Sequence, residues 1–366
     1  MGVTLQAVFL ASCVVFGPMA MAGYHLTRNR VLFFSGSLFI LLAVSVHVFP
    51  FFHTPYFNSS TLPEEQASAQ VTPTAFLNVT LRDYCISNIH KVEFSEIDKP
   101  QLDEQISNQT DWDHFEWRWQ HEALHQCKYQ KLDREDALEL LQGTWIVIAG
   151  DSQARLLFVA LMELILPSIE DLRPYLFKRH SNFEYNLESH HILMEFAWAP
   201  YTTNLTRMAK GYRQDQKRPD IIVSGVGLWH MLHSGNYTQY GKSLVKLKQE
   251  LGFLLNDPIS ATSEEALTVQ LFWMNLPTLA PSLYQSDLKR ERMTTQQSQL
   301  YTMEVLRSEI AGTGGLTTLL DIQTLSHECG TRCTRDGIHY SQAVYRAALH
   351  IIINNLLITT KQTPIP

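Results

Sequence analysis

The chain has 366 residues and a formal charge of -7, with 45% hydrophobic and 11% aromatic residues. That length supports one sizeable α/β domain with accessory segments. No block rich in Lys and Arg appears, so the composition excludes the basic footprint of a nucleic-acid binder, and the mild acidity names no other partner.

Two apolar stretches open the chain, at 3–25 and 31–52. Each has about the length that spans a ~30 Å hydrocarbon core. The only charges before Glu64 are Arg28 and Arg30, between the two stretches. The positive-inside rule puts that short loop in the cytosol. The expectation is a hairpin of two transmembrane helices over 1–52, with the body of the chain in a lumen. A cleaved signal peptide is the alternative for the first stretch, but residues 1–6 carry no basic group. Asn58, Asn78, Asn108, Asn204 and Asn236 each open an N-x-Ser/Thr sequon, all beyond the second stretch, as a lumenal body requires.

Residues 53–80 are rich in Ser, Thr, Pro and Gln and read as a stem linker. Residues 81–142 form an accessory segment with the aromatic cluster Trp112, Phe115, Trp117 and Trp119. Of five Cys, Cys13 falls in the anchor. The other four allow three pairings in an oxidising compartment, and the pairing expected is Cys85 with Cys127 and Cys329 with Cys333.

Regular alternation begins near residue 143 and defines a domain over 143–360. Short apolar runs at 145–149, 191–198, 220–224, 267–273 and 316–322 read as strands. Helical periodicity occupies 152–166, 239–255, 298–310 and 341–357. Strands alternating with helices predict a three-layer α/β/α sandwich around a parallel sheet. Sites in such sheets lie beyond the carboxyl ends of the strands.

Two motifs fall there. Gly150-Asp151-Ser152 ends the first strand and starts a helix, where free N–H groups favour an alkoxide and an oxyanion. An ordinary helix cap has the same composition. Asp336-Gly337-Ile338-His339 precedes the last helix. His339 suits the role of general base toward Ser152, with Asp336 orienting the imidazole. Gly150-Asp151-Ser152 alone fits a cap as readily as a nucleophile and Asp336-x-x-His339 alone is weak; their pairing is much less expected by accident.

Gly-Asp-Ser early and Asp-x-x-His late resembles the SGNH (GDSL-type) hydrolases. Trp117-Arg118-Trp119-Gln120, then Cys127, then 143–149 leading into Gly150-Asp151-Ser152, is similar to the trichome birefringence-like proteins of the PC-esterase group. The likeness covers roughly 83–357. It implies O-acetylation of glycans in the Golgi lumen, with Ser152, His339 and Asp336 as the triad. Arg155 matches the Arg that follows the family's Gly-Asp-Ser. The usual Gly-x-Asn-Asp block is absent; Gly225-Val226-Gly227-Leu228 stands in its place, so the backbone N–H groups of Ser152 and Gly227 become the natural oxyanion donors. Tyr340 stands where the plant proteins have Trp.

Arg155, one turn into the helix, is a candidate for an anion or oxyanion, or else for a structural role. Trp229 and His230 follow the third strand and are candidates for the acceptor pocket. Asn275, at the end of the fourth, is a candidate donor to an oxyanion or a sugar hydroxyl. His121-Glu122-Ala123-Leu124-His125 matches the short His-Glu-x-x-His zinc motif, a pattern with a high accidental rate.

The expected activity is therefore two-step acyl transfer from an acyl donor to a glycan hydroxyl through an acyl-enzyme on Ser152, with no metal or cofactor. The same triad with water as acceptor gives an esterase. A zinc peptidase built on His121, Glu122 and His125, or a non-catalytic glycan-binding module, would also fit parts of the pattern. The sugar, its acylated position and the oligomeric state are not legible.

Overall fold

Helix α1 (Leu81–Asn88) is followed by an antiparallel ribbon of β1 (Val92–Glu96) and β2 (Phe115–Trp119). The computed structural model describes residues 80–97, 114–215, 218–256 and 269–360, all within the unit Leu77–Pro366. The expected anchor over 1–52 and the stem to residue 79 lie outside the described residues, with the sequons at Asn58, Asn78 and Asn108. Among the described residues no helix is long and apolar enough to cross a membrane.

The ribbon follows from period-two alternation. Phe115, Trp117 and Trp119 point inward, while Arg118 points out and pairs with Glu93 across the ribbon at 2.9 Å. Trp117 packs near His350 of the last helix, so this segment shares the core of the larger domain. Helix α2 (His121–Cys127) follows and is tied back to α1 by the Cys85–Cys127 disulfide. Closing that 42-residue loop restricts the unfolded chain by about 4 kcal/mol in the chain-entropy model. Helix α3 (Arg134–Leu140) leads to the main sheet.

Strand β3 (Trp145–Gly150) runs into α4 (Ser152–Ile165), then a short α5 (Arg173–Leu176), β4 (Phe183–Leu187), β5 (Ile192–Trp198) and α6 (Thr202–Gln214). Next come β6 (Ile221–Gly225), α7 (Leu228–His233), α8 (Tyr237–Asn256) and β7 (Gln270–Met274). Helices α9 (Asp287–Arg292) and α10 (Thr295–Arg307), strand β8 (Thr318–Leu320), and helices α11 (Ile322–Cys329) and α12 (Gln342–Thr360) complete the domain.

The six strands lie in the order β4-β5-β3-β6-β7-β8. The five strands expected from sequence are all present and mutually parallel. The sheet as a whole is mixed, which corrects the expectation of a purely parallel one: β4 pairs antiparallel with β5 at the edge. The four residues between Leu187 and Ile192 leave no room for the crossover that parallel pairing demands, so the two strands form a hairpin.

The central strand shows why helices cover both faces. Ile146 and Ile148 join one apolar cluster with Leu157 and Phe158 of α4 and Val344 and Tyr345 of α12. Val147 and Ala149 join the other, with Leu205 of α6, Leu244 of α8 and Tyr301 of α10. A strand apolar on both faces is stable only between two helical layers. Phe158 is fully buried, and truncating such a side chain costs about 3–5 kcal/mol. Helix α4 ends at Leu166, whose backbone is extended (ψ 148°) because Pro167 follows.

The Cys329–Cys333 disulfide, also as expected, closes the turn between α11 and the loop that carries Asp336 and His339.

Candidate active site

Ser152 is the first residue of α4, immediately beyond the carboxyl end of β3. Asp151 caps the helix: its Oδ1 accepts the Gln153 backbone N–H at 3.0 Å. The Ser152 N–H is among the helix donors without an intrahelical partner, so positive potential gathers at its hydroxyl.

The loop before α12 brings the partner groups. Asp336 Oδ1 accepts the backbone N–H groups of Ile338 (3.0 Å) and His339 (2.8 Å). Its Oδ2 lies 2.7 Å from His339 Nδ1, and His339 Nε2 lies 2.7 Å from Ser152 Oγ. The carboxylate accepts only, so Nδ1 carries the proton and Nε2 accepts from the serine. The three residues expected to act together are thus brought into one hydrogen-bonded chain. Burial pushes the Asp336 carboxyl up, but the His339 ring, its charge and the two backbone donors outweigh it and hold the group far below the usual carboxylate range. Asp336 stays ionised while it holds the ring. Burial pushes Asp151 up to about 6, against the opposing pull of the Gln153 N–H and the His339 charge.

The loop is pinned at several points. Gly337 has φ of 76°, and a Cβ there would meet the Ala280 carbonyl oxygen at 2.3 Å, so only glycine fits. The Ala280 N–H donates to the Gly337 carbonyl at 2.9 Å. Gln153, beside Ser152 and buried, donates its Nε2 to the Ile338 carbonyl at 3.1 Å. Its Oε1 accepts from the Tyr345 hydroxyl of α12. Tyr340 donates to the Thr278 carbonyl at 2.7 Å.

Ser152 and His339 open into a cavity of about 610 Å³ with a mostly apolar and aromatic lining. Trp229 lines it as expected, edge-on to Trp198 (ring centroids 5.5 Å apart). Gly227 starts α7 with φ of 153°, and a Cβ there would meet Leu276 at 2.7 Å. It shapes the turn that delivers Trp229.

Three expectations are corrected. Arg155 reaches the cavity lining, but its guanidinium is engaged by backbone carbonyls of the protein itself. Its Nη1 donates to the carbonyls of Leu176 and Lys178, its Nη2 to that of Ser181 at 3.3 Å, and its plane lies over Phe196 and Trp198. It straps the loop 176–181 that forms one cavity wall. Asn275 turns away from the site: its Nδ2 donates to Asp321 at 2.7 Å and its Oδ1 accepts the Gln323 N–H at 3.0 Å, bracketing the start of α11. His230 does not line the cavity. Its Nε2 accepts the Thr202 N–H at 3.0 Å and so caps α6, and burial pulls its pKa down to about 4, which keeps it a neutral acceptor.

The sequence reading missed the opposite wall. Phe177, Arg179 and His180 reach the cavity from the strapped loop, Trp198 from the end of β5, and Lys289 and Met293 from α9 and its end. His180 adopts φ of 55° and stacks on Trp198 with centroids 4.8 Å apart. Trp198 was findable, because it closes a recognised strand at its carboxyl end. The 177–180 run carries no pattern that marks it.

The zinc reading gains no support. His121 and His125 sit on one face of α2 with ring centroids 6.3 Å apart. No group of three or more His, Cys, Asp or Glu that could hold a metal ion occurs among the described residues.

The chain is 37% identical to Protein ALTERED XYLOGLUCAN 9 of Arabidopsis thaliana over 371 aligned positions, covering 97% of both proteins. It is 25% identical to the Oryza sativa subsp. japonica protein named "Probable xylan O-acetyltransferase 10", over 43% of this chain and 41% of the rice protein. No family model matches. Among solved structures, TesA aligns over 58% of this chain and 98% of its own at 14% identity and a TM-score of 0.34. A catalytic mutant of an acetylxylan esterase of Geobacillus stearothermophilus aligns over 62% and 96% at 12% identity, with a TM-score of 0.34.

Proposed function

The chain belongs to the trichome birefringence-like family represented by ALTERED XYLOGLUCAN 9, and on that premise we propose that it is a serine O-acyltransferase that moves acetyl groups onto glycan hydroxyls. The observation that carries the reading is the run of two 2.7 Å contacts from Asp336 through His339 to Ser152 beside an open cavity.

Ser152 Oγ attacks the acyl carbonyl of the donor while His339 Nε2 takes its proton. The developing oxyanion is met by the Ser152 N–H at the head of α4, with the Gly227 N–H as the second candidate donor. Collapse breaks the bond to the leaving group, which takes the proton back from His339. An acceptor hydroxyl then enters, gives its proton to His339 and attacks the acyl-enzyme. Release of Ser152 returns the proton. Asp336 holds the ring in the required tautomer throughout and stabilises the imidazolium. Trp198 and Trp229 offer apolar faces and edges suited to a sugar ring.

The two apolar stretches, the lone basic loop between them and the sequons beyond support a Golgi or other secretory-pathway membrane as the location, with the triad in the lumen. Two disulfides in the folded domain agree with an oxidising compartment.

The test is incubation of the purified chain with an acetyl donor and a panel of glycans. Acetylated glycan that is lost in Ser152→Ala supports transfer. Acetate release from acetylated glycan without transfer makes the chain an esterase. Absence of both, together with no fluorophosphonate labelling of Ser152, overturns the reading.

A further inference from the structure

We propose that the cavity beside Ser152 holds an anionic group of the substrate, a carboxylate or a phosphate, between Arg179 and Lys289; this deepens the acyl-transfer reading and rests on it. The two residues enter the cavity from different walls. Arg179 lies on the loop that Arg155 straps, and Lys289 on α9. Neither side chain has a hydrogen bond or ion pair among the described residues. Their neighbours differ: Arg290 is spent on Tyr284 and Asp287, and Arg292 on the carbonyls of Leu232 and His233.

The lining contains no Asp or Glu. The chain as a whole carries a formal charge of -7, so a cavity with only cationic charges runs against the average of the molecule. Two uncompensated cations beside apolar walls raise the local potential and favour a ligand of opposite charge. The loop that presents Arg179 is also held to one shape. Three carbonyls of the 176–181 segment are tied to a buried guanidinium, and His180 sits at φ of 55° against Trp198. A non-glycine residue persists in that region only where the surroundings impose it. The backbone that carries Arg179 is thus held in place, and the planar guanidinium fork suits a carboxylate or phosphate.

Two sources could supply the anion: phosphate on the acyl donor, or the carboxylate of a uronic acid in the acceptor. The experiment separates them and needs no turnover. The full-length chain carrying Ser152→Ala is titrated with inorganic pyrophosphate, with a uronic acid oligosaccharide and with its neutral hexose counterpart, read by calorimetry and tryptophan fluorescence. The expected result is saturable binding of one anion that falls at least tenfold in Arg179→Gln and again in Lys289→Gln, weakens with added salt, and persists in Arg118→Gln on the distant ribbon. Preference for pyrophosphate assigns the anion to the donor; preference for the uronate over the neutral sugar assigns it to the acceptor. No saturable binding of either anion, equal binding of uronate and neutral sugar with no binding of pyrophosphate, or an equal loss in Arg118→Gln overturns the proposal. Because the protein lacks the Ser152 hydroxyl, these outcomes do not depend on whether Ser152 is acylated, which the fluorophosphonate experiment reads separately.

Discussion

Replacing Arg155 by Lys separates a strap from an oxyanion ligand. The guanidinium donates to three carbonyls, of Leu176, Lys178 and Ser181, and stacks over Phe196 and Trp198. A lysine ammonium has three donors but no planar fork, and from α4 it can serve one or two of these carbonyls. A hydrogen bond to a charged donor contributes about 1.5–3 kcal/mol. The orphaned carbonyls lie on a partly exposed loop where water replaces some of that, and burial already penalises the charged guanidinium. The net loss for Arg155→Lys is therefore about 2–3 kcal/mol, and for Arg155→Met about 3–4 kcal/mol. Thermal unfolding should show a drop of roughly 4–10 °C in Tm. Kinetics should divide by reagent size. Turnover of a glycan substrate, which needs the wall of Phe177, Arg179 and His180, falls at least tenfold. Labelling of Ser152 by a small fluorophosphonate, which needs only the triad and the head of α4, stays within about threefold. Wild-type stability in Arg155→Lys, or labelling that falls as steeply as glycan turnover, would refute the strap and return Arg155 to the oxyanion.

Asp336→Asn keeps the shape of the loop but lets the imidazole take the wrong tautomer, and kcat should fall by roughly 10³–10⁴-fold with little change in Tm; a fall below tenfold contradicts the triad. Asn275→Ala removes the bracket between Asp321 and Gln323, so it should lower stability by about 1–3 kcal/mol in chemical denaturation while activity per folded molecule holds. Loss of activity without loss of stability would put Asn275 back in the site. Stability should also depend on pH. Burial lowers His90, His230 and His350 from 6.5 to about 4. The unfolded chain binds these protons first, so their contribution is complete above pH 6.5 and is lost as pH falls through 4. Asp151 acts oppositely, since its raised pKa favours the fold below about 4 and that contribution is gone above about 6. Three groups against one predict a denaturant midpoint that falls between pH 6.5 and 4; a flat or rising midpoint contradicts this.

Legibility followed burial. Strand β3 was readable because a run apolar on both faces has few other solutions, and the Gly-Asp-Ser and Asp-x-x-His motifs mark positions after a strand and before a helix. Strand β4 was not, because Phe183–Leu187 alternates half-buried with exposed residues at a sheet edge and carries Glu184 and Asn186 outward. Arg155 was read as facing the site because a helix turn points it there; what sequence does not encode is the distant loop whose carbonyls claim it. His230 and Asn275 failed for the same reason. Each is a polar residue just after a strand, Asn275 at the end of β7 and His230 in α7 beyond β6, and the choice between ligand and cap is decided by a partner far along the chain: Thr202 in one case and Asp321 with Gln323 in the other.

The hydroxyl of Ser152 and the imidazole of His339 are separated by 187 positions, and the second arrives only when α12, the last helix of the described chain, docks beside α4. During synthesis the serine is therefore made 187 positions before the imidazole it pairs with. A product truncated before residue 339 lacks the imidazole that Ser152 hydrogen-bonds, and the pair forms only once α12 has docked. In the acyl-transfer reading, fluorophosphonate labelling of Ser152 therefore reports the docking of α12 as well as the reactivity of the serine.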